Sequence, residues 1–253
     1  MLKTRVIPCL LLKGGGLVKT VQFRNPKYVG DPINAVKIFN EKEVDEIIVL
    51  DIEATNKNNK PCIETITGIA SECFMPMCYG GGISSIEDIK EILSAGVEKV
   101  VINTAAVENP SFINKAAKIF GSQSIVVSID FRKNKAGGYT VFTYGGTKSA
   151  SLDPLILAKQ MEQMGCGEIF LNSIDRDGTM QGYDTELIRS VTDVVTIPVI
   201  ACGGAGCIAH LAEAVEGGGA AAVAAGSLFV FQGKYRAVLI NYPSMRELEN
   251  FVS

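Results

Sequence analysis

Short apolar runs recur along the chain about every thirty residues: RVIPCLLL, EIIVLDI, MPMCYG, KVVINT, SIVVSID, EIFLNSI, IPVIAC and AAAVAAG. Between them, segments such as PINAVKIFNEKEV, SIEDIKEILSAGV and LILAKQMEQMGC carry apolar residues three or four apart, the period of a helix buried along one face. Runs that are apolar on both faces predict strands of a parallel sheet covered by helices. Eight such units close most economically into a (β/α)8 TIM barrel, here a single domain over 1–253. One stretch breaks the pattern. FRKNKAGGYTVFTYGG alternates apolar and polar residues and predicts a small hairpin inserted near 131–146.

The two halves of the chain match each other at a spacing near 122 residues. MPMCYGGG, from Met75, parallels IPVIACGGAG, from Ile197, and DEIIVLDIEATN, from Asp45, parallels GEIFLNSIDRDGT, from Gly167. A half-barrel duplication licenses comparing equivalent positions. In that register Ile7, Cys9 and Leu11 fall on Val126, Ser128 and Asp130, so a carboxylate present in the second half is absent from the first.

Composition narrows the partners. A net charge of −3, with no basic run, gives no footprint for nucleic acid. The basic, briefly apolar opening MLKTRVIPCLLL stops at Lys13 without a cleavage site, and no apolar stretch is long enough to span a bilayer, so a soluble, cytoplasmic protein is expected. The seven cysteines are scattered and form no CxxC, which suits reduced, mostly buried thiols. No metal and no cofactor is expected. His210 reads as a packing or surface residue.

A barrel's active site lies at the C-terminal ends of its strands. After strand three comes Gly80-Gly81-Gly82 and after strand seven Gly203-Gly204-Ala205-Gly206, each followed by a helix. Asn103-Thr104, Gly226-Ser227 and Gly178 add small residues nearby. Glycines let backbone N–H groups approach an anion, so two such regions half a barrel apart suggest a ligand with a phosphate at each end. Asp130 ends strand five, Asp51 ends strand two, and strand six runs into Asp175 and Asp177, all placed to move protons on a bound ligand. Lys19, closing the glycine-rich KGGGLVK loop, reads as a lid cation. At the other end, Arg5, Glu46, Lys99 and Glu168 begin strands one, two, four and six. Facing inward they should pair into a ring closing the floor, beneath an apolar or small lining of Ile7, Cys9, Ile48, Leu50, Cys78, Val101 and Ser128.

RVIPCL, GDPI, LDIEA, NTAAVENPS, VFTYGGTK, NSIDRDGT, GYDTE and IACGGAG together resemble the HisF family, the cyclase subunit of imidazole glycerol phosphate synthase. The resemblance implies a heterodimer with a HisH-type glutaminase and ammonia delivered along the barrel axis. It also implies a phosphoribulosyl aminoimidazole bisphosphate as substrate, with imidazole glycerol phosphate and an aminoimidazole carboxamide ribotide as products. It carries acid-base work to Asp130, a loop-lysine role to Lys19, phosphate binding to the glycine regions, and an ammonia gate to Arg5, Glu46, Lys99 and Glu168. Two places depart from the family: Leu11 stands where it has its other catalytic aspartate, and NYPSMRELENF departs from the expected helical tail. Leu11 leaves an alternative open, a non-cyclising conduit that passes ammonia to another acceptor such as a surface-polysaccharide sugar.

Overall fold

Eight parallel strands close on themselves in the computed structural model, which describes residues 4–249. They are β1 (Arg5–Lys13), β2 (Ile47–Asp51), β3 (Met77–Gly80), β4 (Lys99–Ile102), β5 (Ile125–Lys133), β6 (Glu168–Ser173), β7 (Val199–Cys202) and β8 (Ala222–Ala225). Each pairs with the next, and β8 pairs with β1 through Arg5↔Ala222 to Pro8↔Ala225, so the sheet has no edge on the barrel itself. Met1–Lys3 of the basic opening, and the Asn250-Phe251 end of NYPSMRELENF, lie outside the described residues.

Strand alternation separates two cores. Val6, Leu10 and Leu12 face outward into the large cluster shared with the helices, whereas Ile7, Cys9 and Leu11 face the axis with Ile48, Cys78, Val101, Val126 and Phe170. Helices α1 (Pro32–Glu41), α2 (Ile63–Ala70), α3 (Ile86–Ser94), α4 (Pro110–Phe120), α5 (Pro154–Gln163), α6 (Thr185–Thr192) and α7 (Ile208–Glu216) cover the outside.

The duplication extends to the helix starts. Asp31-Pro32 and Asp153-Pro154, 122 positions apart, begin α1 and α5 with the same device: the aspartate side chain accepts from the first-turn amides and proline fills the first helical position. The helix α3 is closed by a capping box in which Asp88 accepts from Ser84 N and Ser85 N, both at 2.9 Å. Its counterpart α7 has His210 where α3 has Asp88, and His210 Nδ1 accepts from Gly206 N at 3.1 Å. The single histidine is thus a cap.

One feature differs from the sequence reading. KGGGLVK is no flexible loop: Gly14 and Gly15, at φ +57° and +81°, make a two-residue turn joining β1 to a strand Gly16–Val21, which pairs with Arg24–Gly30. This first hairpin was not anticipated, because its glycines and basic residues mask the alternation. The second hairpin, Tyr139–Thr143 on β5, lies where the alternating stretch placed it. Beyond β8, a short helix Ser227–Val230 and a hairpin of Phe231–Gln232 with Ala237–Val238 lead into a strap. There Tyr242 Oη donates to Val6 O at 2.8 Å and packs on Phe229, filling the outer groove by β1.

Candidate functional site

The C-terminal ends of the strands surround a cavity of about 690 Å³. Its walls include Asp130, Lys19, Asp51, Asp177 and Leu11, together with Gly81, Gly82, Asn103, Thr104, Gly178, Gly203, Gly204, Gly226 and Ser227. Of the residues named for this end by the glycine and carboxylate pattern, all but Gly206 and Asp175 face this one space. Asp175 instead accepts from Lys133 N at 2.9 Å on the outer side of the second hairpin.

The aspartates have different environments. Asp130 is buried, takes a hydrogen bond from Ser128 Oγ at 3.1 Å and one from the Asn172 amide, and faces the negative charge of Asp177. Burial dominates and raises its pKa to about 7. Asp51 is occupied locally, accepting from Glu53 N at 2.9 Å and Ala54 N at 3.1 Å, which braces the loop after β2. Asp177 accepts from Thr20 Oγ1 at 2.6 Å and Phe23 N at 3.4 Å, tying the first hairpin to the loop after β6; burial raises its pKa against that hydrogen bond and the charge of Lys19.

Lys19 lies in a paired strand at the cavity wall rather than in an open loop. It sits in the first hairpin, 6% exposed, and its ammonium donates to Cys9 O. The ammonium occupies the space a side chain at position 226 would fill, since a Cβ on Gly226 would fall 1.9 Å from Nζ. Leu11, half-buried, lines the cavity and packs toward the axis with Leu50.

Around the two glycine regions the geometry also departs from expectation. Neither long helix follows its glycines at once: α3 starts at Ile86 and α7 at Ile208. The segments abutting the cavity are instead the short helices Thr104–Glu108 and Ser227–Val230, after β4 and β8. Asn103 Nδ2 donates to Ser128 O and Phe142 O, and Thr104 Oγ1 accepts from Tyr144 N, so both side chains hold the second hairpin. Sequence reasoning missed the polar loop Asn56–Lys60, which borders the cavity beside Gly82, and Thr55, whose Oγ1 accepts from Gly82 N at 3.2 Å. The run TNKNNK just after strand two was its available signal.

At the opposite end the four floor charges form a closed ring. Arg5 bonds Glu46 and, at 2.9 Å, Glu168; Lys99 reaches Glu46 at 3.1 Å and Glu168 at 3.2 Å. Each cation touches both carboxylates. Cys78 Sγ adds a hydrogen bond to Glu46 Oε1 at 2.8 Å. For Glu46 burial opposes ionisation, but the Cys78 thiol and the two cations outweigh it and hold its pKa below the usual carboxylate value. For Lys99 burial is likewise overcome by the two glutamates, which raise its pKa. Between ring and cavity lies a layer packed without exposure, containing Ile7, Ile48, Cys78, Ile200 and Ala222 around Phe170, an aromatic absent from the expected lining. Among the described residues no cluster of three or more His, Cys, Asp or Glu is gathered as a metal site, and no helix is long and apolar enough to cross a membrane.

A closed eight-stranded barrel with a loop-ringed cavity at one end and a sealed ion ring at the other defines the class. The chain belongs to the histidine biosynthesis protein family, which it matches over residues 5–236. It is 58% identical over 98% of its length to a Pseudomonas aeruginosa protein provisionally named imidazole glycerol phosphate synthase subunit hisF2, of which 99% is covered. A Leptospira interrogans protein provisionally named subunit HisF of that synthase is 48% identical, with 98% of each chain covered. A Vibrio vulnificus protein provisionally named its subunit hisF3 is 51% identical over 98% of this chain and 95% of its own.

Proposed function

We propose that this chain is the ammonia-accepting barrel of a glutamine amidotransferase, docked by its floor on a HisH-type glutaminase in the cytoplasm and binding a phosphorylated acceptor at its mouth. The observation that carries the reading is the ring of Arg5, Glu46, Lys99 and Glu168, in which paired charges seal the end of an apolar axis. Four charges drawn together around a buried glutamate would be a poor way to gain stability alone, and a sealed ring that opens is suited to admitting a small neutral molecule. Ammonia would then cross the layer around Phe170, which rejects ions by the cost of desolvating them.

At the mouth, Gly81, Gly82, Asn103 and Thr104 would hold one phosphate, and Gly178, Gly203, Gly204, Gly226 and Ser227 the other, with Lys19 contributing its charge between them. Asp130, with a pKa near 7, is suited both to donate and to accept a proton at neutral pH. Asp51 and Asp177 shape the cavity rather than transfer protons, because both are engaged in holding loops. The acceptor in this reading is the phosphoribulosyl aminoimidazole bisphosphate, converted to imidazole glycerol phosphate and the carboxamide ribotide as a lyase-type cyclisation.

Leu11 favours a second reading. Its side chain occupies the axial position across from Asp130 in the duplicated register, and leucine moves no proton. A barrel with one carboxyl suits ammonia transfer to a different acceptor without ring closure. Purified protein supplied with an ammonium salt and the bisphosphate separates the two. Imidazole glycerol phosphate from the unaltered chain supports cyclisation; its formation only after Leu11→Asp supports the conduit.

A further inference from the structure

We propose that Asn172 is the positioning residue that stands in for the absent second carboxylate as the partner of Asp130. Its amide holds the ionised carboxyl through N–H and, turned end for end, accepts from the neutral one. This rests on the reading of Asp130 as the group that exchanges a proton with the bound ligand. Asn172 and Asp130 are register partners on adjacent strands β6 and β5, so both side chains point to the axis at the same level. They are 7% and 8% exposed. Ser128 Oγ holds the carboxyl from its own strand at 3.1 Å, and the Asn172 amide hydrogen-bonds it from the next.

That arrangement leaves Asn172 Oδ1 buried with no hydrogen-bond partner, against the backbone of Gly203. An orphaned buried oxygen is unfavourable and uncommon in native proteins. It is explained if the amide has two working orientations and only one is seen here. With –NH2 toward Asp130 the carboxylate is favoured; with C=O toward Asp130 the protonated acid is favoured, and the –NH2 turns to the side of Gly203 where the Ser173 carbonyl lies. Both forms of Asp130 are populated near neutrality. The proton itself passes only between Asp130 and the ligand; the amide rotates and gains or loses none.

The other titratable groups facing this point are Cys9 on β1, Cys202 on β7, Lys19 on the first hairpin and Asp177 after β6. Lys19 is engaged by Cys9 O and Asp177 by Thr20, so neither replaces the amide. A carboxylate at position 11 would have held Asp130 through charge; an amide holds it through a reversible hydrogen bond.

The test is the titration of Asp130 by carboxyl carbon NMR in the full chain without ligand or partner, with the resonance assigned from Asp130→Asn. The midpoint in the unaltered protein falls near 7. Asn172→Val, which removes donor and acceptor together, raises it by about one pH unit, the excess of a hydrogen bond to the ionised form over one to the neutral acid. Asn172→Thr has the same shape but keeps a hydroxyl able to donate or accept, and leaves the midpoint close to that of the unaltered chain. Val and Thr variants that titrate alike would overturn the proposal. Asn172→Leu against Asn172→Ser provides the same contrast if the first pair does not fold. Because no ligand takes part, a negative result leaves the reading of the cavity standing, and failure of the ammonium assay leaves the titration intact.

Discussion

The two halves of the barrel build the same device and arm it differently. In each, the strand that opens the half, β1 or β5, runs past the barrel rim into an antiparallel hairpin, so that residue 11 pairs with Val18 and residue 130 with Phe142. In each, an Asp-Pro pair starts the following helix. The backbone at the rim is equivalent; one half presents a buried carboxyl to the axis and the other an isobutyl group. The duplicated scaffold therefore sets where a side chain points, and the side chain alone sets what can happen there.

Restoring symmetry has the largest expected effect. A positioned general acid or base contributes about 10²- to 10⁴-fold in rate, roughly 3 to 5 kcal/mol of barrier. Leu11→Asp is expected to raise imidazole glycerol phosphate formation from ammonium by that order, and Asp130→Asn to lower whatever turnover the chain has by the same order. Stability moves the opposite way. The Asp130 pKa is raised from 3.8 to about 7, so the folded state binds a proton more readily than the unfolded state. The penalty is absent below about pH 4, grows as pH rises through that interval, and is complete above about 7, where it amounts to about 4 kcal/mol. Asp130→Asn should accordingly stabilise the protein at pH 8 and leave it nearly unchanged at pH 4, as read by urea denaturation at both values. Equal effects at the two pH values would show that Asp130 is not held neutral by its site.

The floor is the counter-example to this asymmetry, because there the halves cooperate in one ring. Glu46 and Glu168 are half-barrel equivalents, while Arg5 and Lys99 are not; the two cations bridge the duplicated carboxylates. Lys99→Ala leaves Glu46, 2% exposed, with a single cation, and a loss of about 3 kcal/mol is expected from denaturation, together with weakened coupling to a HisH-type glutaminase under the proposed function. The Glu46 pKa is lowered on folding, so its stabilisation is present above its ordinary value and is lost only as pH falls through the lower folded value. The Lys99 pKa is raised, so its share persists up to its ordinary value and is lost as pH rises through the higher folded one. The ring should hold across neutrality, where Asp130 titrates.

Periodicity and duplication make the barrel legible, because eight apolar runs with helical spacers leave few other closures, and internal repetition aligns residue 11 with residue 130 in the sequence itself. The side-chain roles were less legible. Asp51 and Asp177 look like Asp130 in one dimension; only burial and local amides separate a loop brace from an acid. Lys19 reads as a lid because Gly14 to Gly16 suggest mobility, whereas consecutive positive φ values at Gly14 and Gly15 make a tight turn and Gly16 begins a strand. Phe170 went unnoticed because one aromatic in EIFLNSI carries no sign of which face it takes. Asn172 did so because an unpaired oxygen is a property of three strands together.

A smaller effect comes from the space Lys19 occupies. In Gly226→Ala the new methyl group would overlap the ammonium and approach Cys9 O at 2.9 Å, so the lysine must withdraw. If its charge serves a phosphate, affinity for inorganic phosphate should fall about tenfold, the order of one charge-assisted hydrogen bond, and the melting temperature should fall with it, because the Cys9 carbonyl must also shift. Calorimetric titration in the two proteins measures this, and unchanged affinity removes Lys19 from the anion site.

The finest contrast between the halves is how each hairpin is tethered. The second is held from β4 by Asn103 through Phe142 O and by Thr104 through Tyr144 N, contacts to backbone atoms from residues just beyond the neighbouring strand. The first is held chiefly by one acidic residue, since Asp177 accepts from both Thr20 Oγ1 and Phe23 N while its carbonyl accepts from Gln22 N at 2.9 Å, with Gln22 Nε2 donating to Asp175 O beside it. Thr20→Val removes only the hydroxyl, at nearly constant shape, and a hydrogen bond to a charged group contributes about 1.5 to 3 kcal/mol. Most of that loss should remain local, because β1 itself is fixed by β2 and β8 on either side. Amide hydrogen exchange across 14–30 should therefore speed up in Thr20→Val while 131–143 stays protected. Equal acceleration in both hairpins would mean that they open as one unit, and that the tethers do not distinguish the half bearing Leu11 from the half bearing Asp130.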